Sequence, residues 1–588
     1  MLGRLLRSVL RADSGAAAAN EAGIALWQAG DRRGAETRFR EALRRDPGHA
    51  PACSNLGMVL VEQHVLEEGL LRLRQAVELD PAHAGARINL ANTLHYDGQV
   101  DAAIGHYREA LRLAPEAPEA RVNVVKPLMD ACEWREVERI VAELLELHRG
   151  APESRWAERI SPFVSLLLPL PPEFHKRLAI HRGGSLSAAY SRQRVRIIRS
   201  RVPSGSGRIR LGYVSGEFRN HALAHLTAGM YGMHDRGRFE VFAYSYGHAD
   251  GSEYRARIES GCDRFVDVAG ESFEATAERI AGDGIDILVD MSGYAGGSRS
   301  EIFAMRPAPV QVSYLGYPGT LGADFMDYFV ADAVALPERI EWQFTESIAR
   351  LPNSYQVNDS MQRIDERTPD RAEAGLPQEG FVFCCFNQPY KIERTVFDAW
   401  MRILAAVPGS VLWLMQGGST AEANLRREAR ERGVDPGRLV FAPPLPKAAH
   451  LARHRSADLF LDTRIVNAGT TASDALWAGL PLLTCPGETL GSRVAASVLA
   501  AVELPELIAR DAEEYVRLAV ELARDPARLA ALRRKLEHNR PTTPLFDTRA
   551  YVTDLERAFE VMHARRTSGE GPRSFPVQDI SGGRHGDG

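Results

Sequence analysis

One interval, 34 residues, recurs through the first quarter of the chain and restricts its fold more than any other feature. Asp46-Pro47, Asp80-Pro81 and Ala114-Pro115 are spaced by it, as are Gly23, Gly57 and Ala91, then Leu26, Leu60, Leu94 and Leu128, then Ala42, Ala76 and Ala110. This is the tetratricopeptide period, in which each unit is a pair of helices. Small residues let the two helices approach, and the proline stops the second helix before the next begins. A single unit cannot bury its apolar face, so about three and a half units over 20–149 are expected to stack into a short superhelix. Asn55, Asn89 and Asn123 share the interval and line up on one surface of the stack. They either satisfy helix-end hydrogen bonds or form a ladder that grips the backbone of an extended peptide.

Beyond the repeats the pattern changes twice. Residues 150–207 read as a helical bridge ending in a basic, Pro/Gly/Ser-broken linker, RQRVRIIRSRVPSGSGRIR. From Ile209 short apolar strands alternate with helices: Ile209 to Val214, Phe239 to Tyr244, Ile285 to Val289 and Val310 to Leu315. A second set starts at Phe381 with FVFCCFN, VLWLM and LVFAP. Such alternation implies parallel sheets covered on both faces, here two Rossmann-like lobes over 208–350 and 381–540 joined by 351–380. A dinucleotide oxidoreductase would need G-x-G-x-x-G after its first strand, and Gly212-Tyr213-Val214-Ser215-Gly216 does not supply it. A last helix within 541–564 is expected to pack back on the first lobe, and 565–588, rich in Gly, Ser and charge, to be disordered, while 1–19 is set apart from the repeats as a short, basic, amphipathic N-terminal extension.

Charge and cysteine usage narrow the setting. A formal net charge of -5 gives no field for nucleic acid. The six scattered cysteines suit a reducing compartment, and no run approaches the ~18 apolar residues of a membrane span, so a cytoplasmic protein is expected. The oligomeric state stays open, a homo-oligomer included.

The stretch from Asp462 to Gly487 carries the chemistry. It reads as strand, turn, helix, strand, with Thr470 and Thr471 at the start of the helix. Free N–H groups and the positive helix end there favour an anion, and a diphosphate fits. Asp474, one turn in, lies within reach of a ribose hydroxyl. The plainer reading makes Thr470 only an N-cap.

Several long segments, in order, resemble one family. GYVSGEFRNHALAHL, EIFAMRPAPVQVSYLGYPGTLGADFMDY, CCFNQPYKI, FAPPLPKAAHLAR, NAGTTASDALWAGLP and PGETLGSRVAAS are similar to segments of the O-linked N-acetylglucosamine transferase and SPINDLY family. The resemblance covers about Asn20 to Ala564 and implies a tetratricopeptide superhelix followed by an α/β GT-B-type catalytic region. It also implies an inverting protein O-glycosyltransferase that moves N-acetylglucosamine from UDP-GlcNAc to Ser/Thr hydroxyls, the polypeptide acceptor being gripped by the repeats. Carried over residue by residue, it places Lys391 and Gln388 on the diphosphate with Thr470 and Thr471. Lys447 and His450 fall on ribose and base, and Asp474 on ribose. His221 matches a histidine regarded as a candidate base, or else orients the acceptor or sugar. No D-x-D pair is present, so neither metal nor cofactor is expected, lysine and helix dipole taking the metal's place. Two positions depart from the N-acetylglucosamine branch: Gly469 and Asp286 stand where animal members carry histidine. Both follow the SPINDLY branch, which keeps a GDP-fucose donor as the alternative, with an inactive repeat adaptor as a third reading.

Overall fold

The computed structural model describes residues 15–115, 117–150, 160–203, 205 and 207–578. Six helices make three pairs: α1 (Ala16–Gln28) with α2 (Arg32–Arg45), α3 (Ala50–Glu62) with α4 (Leu66–Leu79), and α5 (Ala84–Tyr96) with α6 (Val100–Leu113). The repeated Asp-Pro pairs act as turns. Asp46 Oδ1 accepts from the Gly48 N–H at 3.0 Å and Asp80 Oδ1 from the Ala82 N–H at 3.1 Å. His49 and His83 then cap α3 and α5 through Nδ1, each at 3.1 Å. Asn55 and Asn89 sit inside their helices, and only Asn123 ends one, Pro118–Asn123. Asn55 donates to Asn20 Oδ1 (2.9 Å), Asn89 to Ser54 Oγ (3.0 Å) and Asn123 to Asn92 Oδ1 (3.1 Å), so each amide ties one repeat to the one before it.

The stack is fastened at both ends. Near its start, Arg32 lies over the Phe273 ring and the His64 ring is 4.6 Å from His248, both on the first lobe. At its end the Trp134 indole donates to the Ile392 carbonyl (2.8 Å) and Asn424 donates to the Ala131 carbonyl (2.8 Å), both buried contacts with the second lobe.

Among the described residues, the strands form two wholly parallel sheets. The first holds β1 (Ile209–Ser215), β2 (Phe239–Ser245), β3 (Arg264–Asp267), β4 (Ile287–Asp290), β5 (Val310–Ser313), β6 (Tyr328–Asp332), β7 (Ser347–Leu351) and a late β13 (Phe575–Pro576). Its order is β13-β7-β6-β5-β4-β1-β2-β3. The second holds β8 (Val382–Cys385), β9 (Val411–Met415), β10 (Leu439–Ala442), β11 (Leu459–Leu461) and β12 (Leu482–Leu483), in the order β10-β9-β8-β11-β12. Both orders reverse beside the first strand, between β1 and β4 and between β8 and β11. Such a reversal opens a crevice at the carboxyl ends of the strands.

Two expectations fail in instructive ways. The basic stretch after Arg192 is not a linker throughout: Ser191–Ser200 is a helix, with Ile197 fully buried, while Arg194 and Arg196 reach out to Asp324 and Glu278. The charges lie on one face, so they solvate the helix instead of breaking it. The tail is ordered as far as the described residues extend. The helix Thr548–Thr567 runs past Ala564, and Phe575–Pro576 pair with Ala349 and Arg350, covering the exposed edge of β7. Phe575 is buried against Tyr328, at a ring distance of 6.0 Å. A two-residue strand has no alternation to read. The N-terminal extension up to residue 14, and 579–588, lie outside the described residues. Helix Thr548–Thr567 does return to the first lobe, where Tyr551 meets Tyr314 at 2.7 Å and Glu556 meets His234 at 3.0 Å. No helix among the described residues is long and apolar enough to cross a membrane.

The close helix crossing yields a stability prediction. A Cβ on Gly57 would stand 2.7 Å from Leu73 Cγ and 2.9 Å from the Gly69 carbonyl oxygen. Gly57→Val should cost about 1–3 kcal/mol by overpacking, read as an earlier first transition in urea by far-UV circular dichroism. An unchanged transition would mean that the crossing has slack.

Candidate functional site

A cleft of about 840 Å³ runs between the carboxyl edges of the two sheets. The first lobe supplies the loops after β1, β4 and β5, with His221, Ser292 and Leu315 on its wall. The second lobe supplies the loops after β8 and β11, the adjacent strands at its order reversal. All eight residues singled out in the sequence line this one cleft: His221, Gln388, Lys391, Lys447, His450, Thr470, Thr471 and Asp474.

The helix Thr470–Trp477 starts at the cleft. Its N-cap is Gly469, not Thr470, and no side chain caps it. The N–H groups of Ala472 and Ser473 bond to the Gly469 carbonyl, whereas those of Thr470 and Thr471 have no protein acceptor among the described residues. Two donors and the positive helix end therefore face the cleft unpaired. The Thr471 hydroxyl donates to Asn387 Oδ1, and Asn387 in turn donates to Thr463 Oγ1 at 2.7 Å, linking the two loops. Asp462, buried at the end of β11, accepts from the N–H groups of Thr463 (2.8 Å) and Ala468 (2.7 Å) and from the Thr484 hydroxyl (2.6 Å). Burial pushes its carboxyl up to about 6, against these bonds and the pull of Lys391.

Lys391 arrives from the short turn after β8 and donates to the Asn467 carbonyl at 2.9 Å. Desolvation lowers its ammonium below the ordinary lysine value, and Asp462 opposes that. Among the described residues its one hydrogen-bond acceptor is a neutral carbonyl, so an arriving anion would be its first direct ionic contact. Gln388, three residues before it, is exposed on the cleft wall.

The next pocket along holds a polar pair under an aromatic one. Lys447 donates to Asp474 Oδ1 at 2.5 Å, and His450 Nε2 stands 3.8 Å from Asp474 Oδ2. Burial raises Asp474, with Lys447 resisting. His450 packs edge-on to Phe386 at 5.5 Å and takes a hydrogen bond on Nδ1 from the buried Arg453. Burial first, then the neighbouring cations, keep this imidazole neutral. Its Nε2 then carries the hydrogen and serves as a donor.

His221 is the N-cap of helix Ala222–Thr227, its Nδ1 accepting from the Leu223 N–H at 3.2 Å, with Glu217 3.6 Å away. Desolvation in the cleft holds it below the ordinary imidazole value, with Glu217 opposing. With Nδ1 occupied as an acceptor, the neutral ring presents Nε2–H to the cleft.

Of the two departures, only one touches the site. Asp286 precedes β4 and accepts from the Arg210 N–H at 2.9 Å, at the amino ends of the strands and so opposite the cleft. It does not line the cleft. Gly469 lines the cleft, and a Cβ there would meet Gln356 Oε1 at 3.2 Å. Gln356, from the inter-lobe connection, donates to Ser473 Oγ at 2.7 Å and braces the helix start. Sequence reasoning missed Gln356 because no local pattern marks it, and it missed Asn387 and Asp462 as braces, although both stand inside quoted motifs.

The glycosyl transferase family 41 profile matches residues 131–368 and 367–555, and a tetratricopeptide repeat profile matches 20–64 and 54–118. The chain is 37% identical over 462 residues to the probable UDP-N-acetylglucosamine–peptide N-acetylglucosaminyltransferase SEC of Arabidopsis thaliana, covering 76% of this chain and 47% of that protein. It is 32% identical to the UDP-N-acetylglucosamine–peptide N-acetylglucosaminyltransferase of Caenorhabditis elegans (76% and 49%) and 30% identical to SPINDLY of Petunia hybrida (62% and 39%). The chain thus spans about half the length of these curated relatives or less. A solved O-GlcNAc transferase of Thermobaculum terrenum, a lysine-to-methionine variant, superposes with a TM-score of 0.67 at 29% identity, covering 95% of this chain and 100% of that one. Profile matches over both lobes, a shared two-lobe architecture and a cleft with an anion-ready helix start agree: the chain belongs to glycosyl transferase family 41.

Proposed function

We propose that the protein is an inverting O-glycosyltransferase that moves N-acetylglucosamine from UDP-GlcNAc to Ser or Thr hydroxyls of polypeptides. One observation carries this reading: a lysine ammonium hydrogen-bonded only to a neutral carbonyl and two unpaired helix-start N–H groups converge, among the described residues, at the strand-order reversal of the second lobe. A diphosphate placed there gains negative charge as the bond from its oxygen to the anomeric carbon breaks, and preorganised donors stabilise that charge. The acceptor hydroxyl attacks the same carbon from the opposite face and loses its proton. Lys447, Asp474 and His450 form the neighbouring place for ribose and base. The relatives' names support the donor, and SEC is more similar to this chain than SPINDLY is. With Asp286 remote from the cleft, Gly469 alone speaks for the fucose branch.

His221 fits the orienting role better than the base, because its cleft-facing nitrogen carries a hydrogen. The repeats deliver the acceptor: their stack ends against the second lobe, and Lys126 on the helix Val125–Asp130 lies 3.9 Å over the ring of Tyr390, next to Lys391. The six free cysteines, all but Cys262 buried, accord with a reducing, cytoplasmic setting.

Intact-mass analysis of a co-expressed acceptor tests the activity: the gain of one N-acetylhexosamine is expected, and a deoxyhexose increment would replace the donor. UDP at about one hundred times its Kd should stabilise the fold by about 2.7 kcal/mol, seen as a higher melting temperature, while GDP gives little; the reverse order would overturn the donor assignment. Lys391→Met should lower kcat/KM for the donor by ~100-fold or more. Since the ammonium is the active form and its pKa is lowered, wild-type kcat/KM should decline as pH rises through a value below that of an ordinary lysine. Lys391→Arg should lack this alkaline decline. His221→Gln, which keeps a donor, should retain kcat within about tenfold, whereas loss of a general base costs ~100-fold or more.

A further inference from the structure

A second cavity, of about 360 Å³, adjoins the cleft. It lies between the helix Trp134–Gly150, the bridge after Ile160, and the second lobe. Leu166, Leu167, Tyr390 and Thr489 wall both cavities, so the two adjoin at the Tyr390 ring. Its floor is apolar: Trp134, Val137, Leu168 and Leu170 line it and are at most 8% exposed. His175, also in the lining, is pushed down to about 4 by burial, so it adds no charge at neutral pH. The rim differs. Glu138, Glu393 and Glu488 line it with Arg394 and Arg464; Arg394 pairs with Glu138 at 3.2 Å, and each arginine keeps a buried Nε–H with no acceptor among the described residues.

These features fit one occupant. The nucleotide's requirements are met on the far side of Lys391, by Lys447, His450 and Asp474, and none of these lines the second cavity. Its volume is at the lower limit of ligand pockets, room for one or two side chains. An extended polypeptide presents what the walls ask for: an apolar side chain for the floor, and backbone carbonyls for guanidinium N–H groups left unsatisfied. A chain lying along Tyr390 advances about 3.3 Å per residue, so a side chain in this cavity belongs to a residue near the one that reacts.

We propose that this cavity is a subsite for the acceptor, taking an apolar side chain within about three residues of the modified Ser or Thr while Arg394 and Arg464 donate to the adjoining backbone. The inference rests on the protein-glycosyltransferase reading. The test uses the full chain, UDP-GlcNAc and a set of Ser-containing peptides in which each flanking position in turn is Leu or Lys. One position should favour Leu by about tenfold or more in kcat/KM, the scale of apolar-pocket discrimination. Val137→Trp and Pro172→Trp fill the cavity from two different helices, the second at a half-buried position. Both should keep the UDP-induced rise in melting temperature and bring the Leu/Lys ratio close to one. A photoreactive leucine at the favoured position should cross-link to the helix Trp134–Gly150 or to Leu168 and Leu170. Equal use of all peptides, a ratio that survives in both variants, or cross-links confined elsewhere would overturn the subsite while leaving the activity standing. No transfer to any peptide or protein by the wild type would overturn both.

Discussion

The second lobe's side of the cleft depends on one buried carboxylate. Asp462 ends β11 and gathers the N–H groups of Thr463 and Ala468 and the hydroxyl of Thr484. It thereby folds the intervening loop back so that the next helix starts at the crevice with its first donors free. The same group opposes, through space and without a direct ion pair, the lowering that burial imposes on Lys391. A carboxylate so deeply placed is costly, as its raised pKa records, and the cost is offset by the bonds it collects. Removing it would release both the loop and the lysine.

The device recurs in the first lobe. Asp290, at the end of β4, accepts from the N–H groups of Ser292 and Gly293, each at 2.9 Å. Asp332, at the end of β6, accepts from Val334 and Ala335 through one oxygen, and from the Tyr355 N–H and the Ser497 hydroxyl through the other. Three strands thus end in a buried aspartate that shapes the loop beyond it. The Tyr355 and Ser497 bonds go further, because they join the first sheet to the inter-lobe connection and to the helix Val494–Ala501 of the second lobe. Loop conformation and lobe arrangement are held by the same few groups.

How much of this the amino acids reveal depends on how local the physics is. The repeats were legible because Gly57, Leu60 and Asp80-Pro81 each answer a local demand that returns every 34 residues. The helix start at Thr470 was legible from its turn, but the capping residue shifted to Gly469, since which residue leaves the helical φ/ψ region is settled by neighbours such as Gln356. β3, β6 and β7 were passed over: Arg264–Asp267 is an edge strand with little apolar content, and the others follow loops rather than clear helices. The basic helix around Ile197 hid behind its arginines. Asp286 shows the opposite error, in which a departure from a family pattern drew a functional reading although the residue sits at the wrong end of its strand.

The repeat array touches both lobes, through His64 and Arg32 at one end and Trp134 at the other, while the inter-lobe connection joins the same lobes elsewhere. The protein is therefore mechanically a closed ring. Widening the mouth on one flank must strain a helical stack on the other, and a solenoid, whose units touch only their neighbours, resists by spreading the deformation along its length. The ring's stiffness is set by residues far from any reacting atom.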